Sequence, residues 1–389
     1  MTWNHHTETE LLINAKTTSL SSSFIVIVKQ ITMSDSSSID VFDFVVKEGN
    51  GIKALVVDNG FHTLPHQYIQ PLEERFHTTT TIKTASHQSV PVIDVSDWDD
   101  PGVAESICEA AIKWGFFQIV NHGVPSDVLD QVMDSAKRFF ELPIEERKMY
   151  LRANSPSETV CFATSFNPLV EKVMEWKDYL TMLFVDDDQA SAFWPPVCRE
   201  EAREYMKRVE VVIKRLLQVL LKRINVKEEI GKETEYMLMG AMRINFNYYP
   251  PCPNPELVAA IGRHSDVSTI TVLLQDNTGG LYVCGEGDSW IHVPPIDGAL
   301  VVNIGDVLQM MSNNLYKSVE HRAVANRNKS RISIPIFVNP GPDALIGPLP
   351  QVLENGEKPV YKPIVYSDYF KLFFSKPHDG KNVMEFVKI

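Results

Sequence analysis

Two histidines and one aspartate have the spacing of a metal site. His264 and Asp266 lie two residues apart, and in an extended strand residues i and i+2 point to the same face. The imidazole nitrogen and the carboxylate can therefore converge on one cation. His321, further along the chain, would complete a set of two histidines and one carboxylate. Such a set leaves coordination positions open on one side, which is the pattern of non-haem Fe(II) sites.

A second motif, Arg331-Ile332-Ser333, indicates what else this site binds. It follows His321 closely enough to lie on the next strand. The planar guanidinium of Arg331 suits a carboxylate, and the hydroxyl of Ser333 can donate a further hydrogen bond. The distal carboxylate of 2-oxoglutarate would need these groups once its 2-oxo acid end chelates iron. The combined motif predicts an oxygenase that uses Fe(II), 2-oxoglutarate and O₂.

Two other function classes stay open on these residues. One is a catalytically silent, dioxygenase-like binding protein, which would have to lack a metal ligand or the arginine, and all four groups are present. The other is a hydrolytic zinc site, which would leave the Arg-x-Ser motif without a role. Fe(II)-dependent conversion of 2-oxoglutarate to succinate separates the oxygenase from both.

The elements that must position these residues are β-rich. From about residue 240 the chain consists of short β-branched and aromatic runs separated by turn-forming residues, which favours an antiparallel jelly roll. The predicted strands cover residues 242–249, 269–274, 281–284, 290–293, 299–304 and 332–338.

The earlier part of the chain predicts helices with some strand. Asp100 before Pro101 is a good helix start, and Gly115 ends that helix. Residues 116–120 are strand-like, and a long amphipathic helix is predicted over 199–225. The expected fold class is mainly β with α, a double-stranded β-helix (jelly-roll) barrel with an N-terminal helical region.

The predicted organisation has three parts. Residues 1–40 form a polar, Ser/Thr-rich extension that we expect to be disordered, with 1–32 dispensable for stability and turnover. Residues 41–235 form a helical or mixed dioxygenase region. Residues 236–389 form the jelly-roll core and the C-terminal tail. Met33 is an alternative start to Met1, and a transit peptide is the weaker reading because the extension has early glutamates and few arginines.

Composition limits the class of partner. The 37 basic and 50 acidic residues give a formal net charge of −13, which argues against a nucleic-acid partner. No run approaches the roughly 20 apolar residues that a membrane span needs. The five cysteines are widely spaced, which favours reduced thiols. We expect a soluble, cytoplasmic protein with no membrane partner, and a monomer by default.

On three motifs the chain resembles the plant 2-oxoglutarate/Fe(II)-dependent dioxygenases, from about residue 42 to the C-terminus. The resemblance implies that Asn247 and Tyr249 hydrogen-bond 2-oxoglutarate, that His122 is structural, and that ascorbate serves as reductant. The supporting motifs are PVID at 91–94, WGFFQIVNHGV at 114–124 and NYYPPCP at 247–253.

Within that family the chain most resembles the ortho-hydroxylases of hydroxycinnamoyl-CoA thioesters, which lead to coumarins such as scopoletin or umbelliferone. The resemblance implies feruloyl-CoA and p-coumaroyl-CoA as substrates. Scopoletin 8-hydroxylases and other phenylpropanoid or flavonoid dioxygenases are the alternatives. Ala163 stands where a glycine is expected, which leaves the acceptor open. The supporting stretches are FDFVVKEGNG at 42–51, TSF at 164–166, EWKDYL at 175–180 and PHDGK at 377–381.

A CoA ester brings phosphate groups, and a chain of this net charge must offer them a local basic patch. The candidates that the sequence suggests flank the predicted strands or lie in the tail: Lys317, Arg322, Arg327, Lys329, Lys376 and Lys381.

Overall fold

The computed structural model describes residues 40–76, 89–226, 231–354, 356–375 and 380–389. Residues 1–39 of the predicted extension, with its Met33 start, and residues 377–379 of the tail motif lie outside the described residues. Within the described residues, no helix combines the length and the apolar character that crossing a bilayer requires.

Helices dominate the first half of the chain. The segment Asp43–Asp58 consists of π-helical turns on either side of a short α-helix, Gly51–Lys53. The Asp100 carboxylate accepts a hydrogen bond from the Gly102 amide at 2.8 Å and caps the next helix. The α-helices are α1 (Gly51–Lys53), α2 (Pro101–Lys113), α3 (Ser126–Glu141), α4 (Ile144–Lys148), α5 (Asp187–Phe193), α6 (Arg199–Arg223), α7 (Lys232–Met239), α8 (Asp306–Met311), α9 (Pro350–Leu353), α10 (Tyr366–Phe374) and α11 (Asn382–Glu385).

Strands form one large and one smaller sheet. The main sheet has eight strands in the order β1-β2-β10-β7-β12-β5-β4-β3, and the second has four in the order β6-β11-β8-β9. The strands are β1 (Val92–Asp94), β2 (Phe116–Val120), β3 (Val160–Thr164), β4 (Asp178–Phe184), β5 (Ala241–Tyr249), β6 (Ile261–His264), β7 (Ile270–Gln275), β8 (Leu281–Cys284), β9 (Trp290–Val293), β10 (Leu300–Ile304), β11 (His321–Ala323), β12 (Arg331–Asn339) and the short pair β13 (Leu345–Ile346) and β14 (Ile364–Val365).

The two faces of the main sheet pack against different partners. Alternate residues of its strands, such as Ile244 and Ile334, belong to a large apolar core shared with helices α2, α3 and α6. The opposite residues, such as Phe116 and Val301, pack against Val283 and other residues of the four-stranded sheet. We call this second side the inner face. The result is a layer of helices, the main sheet, and the smaller sheet.

The strand predictions after residue 240 agree closely with the structure. Residues 281–284 and 290–293 are strands β8 and β9, and the other four predicted strands differ from the observed ones by one residue at one or both ends. The long helix ends at Arg223, slightly earlier than predicted. Strands β3 and β4 were not predicted, and together with β1 and β2 they bring residues from before 235 into the main sheet. The three-part division of the chain stays a prediction.

One local expectation is wrong. The sequence analysis places both His264 and Asp266 in one strand, whereas β6 ends at His264 and Asp266 lies in the connection to β7. Convergence of the two side chains therefore does not come from strand periodicity.

Candidate functional site

The three proposed metal ligands lie together between the two sheets. His264 ends β6 and His321 begins β11, and the two are directly paired across these antiparallel strands. Their ring centroids are 4.3 Å apart. The Asp266 Oδ1 atom lies 3.6 Å from His264 Nε2 and 3.7 Å from His321 Nε2. The three donor atoms lie within 4.8 Å of one another, as a group around one cation must.

Backbone carbonyls orient both imidazole rings. His264 Nδ1 lies 2.9 Å from the Gly262 carbonyl oxygen, and His321 Nδ1 lies 3.3 Å from that of Val319. A proton on each Nδ1 satisfies these carbonyls and leaves the Nε2 lone pair of each ring directed toward Asp266. This is how metal-binding histidines are commonly fixed in one tautomer.

Two neighbouring strands hold the Asp266 carboxylate. Thr271 Oγ1 and Asn303 Nδ2 each donate to Asp266 Oδ2 at 2.7 Å. With Oδ2 engaged, Oδ1 is the oxygen that faces the two histidines. Thr271 lies on β7 and Asn303 on β10, and the two residues are register partners. Sequence analysis missed both, since only the pairing of β7 with β10 brings them to one carboxylate.

The four proposed 2-oxoglutarate ligands form two cross-strand pairs. Arg331 is paired with Tyr249 and Ser333 with Asn247, between β12 and β5. Directly paired residues in an antiparallel sheet project to the same face. All four side chains therefore lie on the inner face of the main sheet. The Tyr249 hydroxyl and Ser333 Oγ are 3.4 Å apart.

Arg331 is a buried cation with unused donors. Its side chain lies over the Tyr249 ring, 5.1 Å from the centroid, and Nη2 donates to Gln275 Oε1 at 3.1 Å. The residue is only 2% exposed, and its Nε has no hydrogen-bond partner among the described residues. In the part of the chain that the structure describes, no carboxylate pairs with Arg331. A buried, unpaired guanidinium is costly unless an anion joins it, so the residues fit a carboxylate ligand.

The donor set also fits ferrous iron. Two imidazole nitrogens and one carboxylate oxygen that converge on one point are suited to Fe(II) with exchangeable co-ligands. The T-shaped contact of the Phe116 ring with His321, at 5.1 Å, keeps the imidazole in an apolar surrounding.

His122 lies away from this group, in agreement with a structural role. Its Nε2 is 2.9 Å from the Gly298 carbonyl oxygen, and its Nδ1 accepts from the Val124 amide at 3.2 Å. Burial lowers the pKa of His122, which favours the neutral ring.

Two of the six cations suggested for CoA binding, Arg322 and Lys381, already have partners within the protein. Arg322 is buried, donates to the Glu74 carbonyl oxygen at 2.9 Å and lies over the rings of Phe76 and Trp290. Lys381 Nζ donates to Gln309 Oε1 and to the Ser318 carbonyl oxygen. These contacts argue against Arg322 and Lys381 as the phosphate-binding residues among the candidates.

Three of the remaining candidates lie within the described residues. Arg327 is tied to the Pro253 carbonyl oxygen and to Glu256. Lys317 and Lys329 are exposed, and Lys376 lies outside the described residues.

Comparison with known proteins adds independent information. The model of the 2OG-Fe(II) oxygenase superfamily matches residues 240–340, and that of the N-terminal region of non-haem dioxygenases in morphine synthesis matches residues 90–197. A feruloyl-CoA ortho-hydroxylase of Ipomoea batatas is 56% identical over 352 residues, which cover 90% of this chain and 97% of that protein. A bifunctional coumaroyl-CoA and feruloyl-CoA ortho-hydroxylase of Ruta graveolens is 53% identical, over 89% of this chain and 94% of that protein.

Solved structures give the same answer for the fold. The crystal structure of JOX2 in complex with 2OG, Fe and JA has a TM-score of 0.74 and 31% identity, and the match covers 87% of this chain and 97% of that one. A dioxygenase for auxin oxidation in rice, at 20% identity and a TM-score of 0.66, shares the fold. The predicted jelly roll with its helical region is confirmed.

Proposed function

We propose that this chain hydroxylates the aromatic ring of a hydroxycinnamoyl-CoA thioester, at the position ortho to the propenoyl side chain. The chain belongs to the 2OG-Fe(II) oxygenase superfamily and is an oxidoreductase that uses Fe(II) and 2-oxoglutarate. The substrate assignment is supported by relatives more than half identical over nine-tenths of the chain, whose names specify feruloyl-CoA and coumaroyl-CoA. Cytoplasmic location and a monomeric state stay predictions of the sequence.

His264, Asp266 and His321 are proposed to bind the iron. The support is the approach of Asp266 Oδ1 to both Nε2 atoms, together with the carbonyls that orient each ring. Because Thr271 and Asn303 hold the other carboxylate oxygen, Asp266 presents one oxygen to the metal. Bound Fe(II), with 2-oxoglutarate and O₂, supplies the oxidising power that inserts one oxygen atom into a C–H bond, with succinate and CO₂ as co-products.

The observation that carries the assignment is the unpaired, buried Arg331. Its free Nε and partly used fork can donate to the distal carboxylate of 2-oxoglutarate, with the Ser333 and Tyr249 hydroxyls beside it. Asn247, which is the cross-strand partner of Ser333, completes the proposed set of 2-oxoglutarate ligands. An ion pair formed in this closed setting would orient the co-substrate and exclude water from the charged contact.

The ring hydroxyl so formed lies ortho to an acyl chain that carries a thioester. After the propenoyl double bond isomerises, this hydroxyl can attack the thioester carbonyl, close a lactone and release CoA as the thiol. Feruloyl-CoA would thus lead to scopoletin and p-coumaroyl-CoA to umbelliferone. For this sequence of reactions to begin, the protein must place the ring carbon ortho to the side chain at the metal.

A substrate panel tests this proposal. Feruloyl-CoA, p-coumaroyl-CoA, ferulate and scopoletin would each be incubated with Fe(II), ascorbate and 2-oxoglutarate, with succinate measured and products identified by mass. We expect hydroxylation of a CoA thioester in preference to ferulate and scopoletin. An Asp266→Ala variant should form neither product nor succinate. Hydroxylation of scopoletin with none of feruloyl-CoA would overturn the substrate assignment.

A further inference from the structure

The inner face of the main sheet continues well beyond the proposed 2-oxoglutarate ligands. On β5, Arg243 and Asn245 project to the same side as Asn247, while Ile244 and Phe246 between them are fully buried in the core. Arg243 and Asn245 are only partly buried. The neighbouring strand β4 repeats this alternation, with Thr181 partly exposed. This stretch of the inner face thus carries polar side chains that are not part of the apolar core.

Arg243 lies in register with Thr271 and Asn303, the residues that hold the Asp266 carboxylate. It pairs with Phe337 on β12, Phe337 pairs with Thr271 on β7, and Thr271 pairs with Asn303 on β10. Thr271 and Asn303 are the donors to Asp266. Two strand spacings separate the backbones of Arg243 and Thr271, which is about 10 Å. An arginine side chain from this position can reach a molecule that presents one atom to the metal.

Arg243 places a positive charge on this part of the inner face. Among the described residues no carboxylate forms an ion pair with it, and its guanidinium lies 5.4 Å from the centroid of the Phe370 ring. Burial lowers the pKa of Arg243; Tyr366 and Tyr179 oppose this effect, and the like charge of Arg152 adds a smaller lowering. Arg243 is thus a partly desolvated donor whose hydrogen-bonding capacity is available.

Two further polar atoms beside Arg243 lack partners. Asn245 Oδ1 and Thr181 Oγ1 are buried, and neither has a hydrogen-bond partner among the described residues. The two residues are direct cross-strand partners, so their side chains are adjacent on the inner face. Buried polar atoms are seldom left unsatisfied in a folded protein. Adjacent orphan atoms beside an unpaired guanidinium are what a polar ligand would satisfy.

An aromatic wall adjoins this polar group. On α10, the Phe370 and Phe374 ring centroids are 4.4 Å apart, and Phe166 stacks on Phe374 at 5.1 Å with an interplanar angle of 28°. Asn167 Nδ2 donates to the Phe374 carbonyl oxygen at 3.1 Å and ties the loop to the helix. A planar aromatic group can pack on such rings while Arg243 meets its polar end.

We infer that Arg243 is a substrate-binding residue that donates hydrogen bonds to the acyl carbonyl oxygen of the aromatic thioester, with Asn245 and Thr181 lining the same subsite; this inference rests on the proposed function. A ring carbon placed at the metal leaves the acyl carbonyl only a few bonds away, within the span between the metal site and Arg243. The CoA phosphates, at the far end of the pantetheine arm, lie well beyond that span.

The test replaces the guanidinium and separates the acyl oxygen from the phosphates. Arg243→Met would be compared with wild type on feruloyl-CoA and on the N-acetylcysteamine thioester of ferulate, which keeps the carbonyl and lacks phosphate. We expect kcat/KM to fall about 10- to 100-fold for both thioesters, the range for a hydrogen bond to a charged group. The KM for 2-oxoglutarate should stay within twofold of wild type.

Two variants guard against a merely structural effect. Arg215→Met removes an arginine that also lies over an aromatic ring, Trp98 at 5.6 Å, and should leave both thioester activities unchanged. Arg243→Lys keeps the charge and the stem and should recover part of the lost kcat/KM. Turnover of 2-oxoglutarate without thioester, together with the melting temperature, reports whether each variant is folded.

Each other outcome contradicts the inference. A loss confined to feruloyl-CoA would mean that Arg243 binds phosphate. No loss for either thioester, or an equal rise in the KM for 2-oxoglutarate, would remove Arg243 from substrate binding. Wild-type protein that consumes neither thioester would overturn the proposed function itself, and the inference with it.

Discussion

Removing the Asn303 side chain tests how the proposed metal site is held. Asp266 Oδ2 accepts two hydrogen bonds of 2.7 Å, from Thr271 Oγ1 and Asn303 Nδ2. These bonds direct Oδ1 toward the two histidines. Asn303→Ala deletes one donor and leaves the three proposed ligands in place. We therefore expect Fe(II) to bind more weakly and the fold to persist.

The magnitude follows from the burial of the carboxylate. Asp266 is 6% exposed and Asn303 3% exposed, so water replaces the lost donor poorly. A hydrogen bond to a charged group contributes about 1.5–3 kcal/mol, and each 1.4 kcal/mol is roughly tenfold in a dissociation constant. The Fe(II) dissociation constant should rise about 10- to 100-fold, which is also the usual effect of losing a group that orients a metal ligand.

Anaerobic calorimetric titration with Fe(II) measures this change directly. The matched control is Asn339→Ala, which removes a buried asparagine that accepts a hydrogen bond from the Tyr366 hydroxyl at 2.8 Å and belongs to no metal contact. The control should lose stability while keeping the wild-type Fe(II) affinity. An unchanged affinity in Asn303→Ala, or an equal loss in both variants, would refute the reasoning.

Three further changes have defined outcomes. Arg331→Lys keeps the charge but loses the two-pronged geometry, so the KM for 2-oxoglutarate should rise roughly tenfold or more while the KM for the aromatic substrate changes little. Equal changes in the two KM values, measured by steady-state assays, would contradict the role assigned to Arg331. Gly115 has φ +62°, and Gly115→Ala forces a methyl group against a backbone carbonyl. Gly123 also has a positive φ but faces open space, so Gly123→Ala should lower the free energy of unfolding by only roughly 1–2 kcal/mol. Denaturant unfolding should show a larger decrease for Gly115→Ala. Burial, with a neighbouring carboxylate, raises the pKa of Glu171 from 4.5 to about 7. Between these two pH values the folded protein keeps a proton that the unfolded chain has released, so the contribution of Glu171 to stability falls as pH rises from about 4.5 to about 7. Glu171→Gln should therefore flatten the pH profile of the melting temperature over that range.

The sequence alone determined the type of chemistry and most of the strands that carry it. The chemistry of the side chains indicates which ligands they bind, because imidazole with carboxylate suits iron and arginine with serine suits a carboxylate. Six of the strands after residue 240 could be predicted because runs of β-branched and aromatic residues are separated there by turn-forming residues. Strands β6 and β11, which carry His264 and His321, were not among these six predicted strands. The cap at Asp100 is equally local, since its partner is the Gly102 amide two residues away.

Tertiary structure decided everything that depends on which strands become neighbours. Asp266 reaches the histidines from a connecting segment, through donors on β7 and β10 that no local pattern links to it. Arg322 was a candidate for phosphate binding in the sequence, yet packing buries it against two aromatic rings, those of Phe76 and Trp290. No sequence motif drew attention to Arg243, yet the register of β5, β12 and β7 aligns it with Thr271, which holds the Asp266 carboxylate. Sequence patterns record burial and backbone preference, which are local, whereas strand order and register arise from packing among residues far apart in the chain.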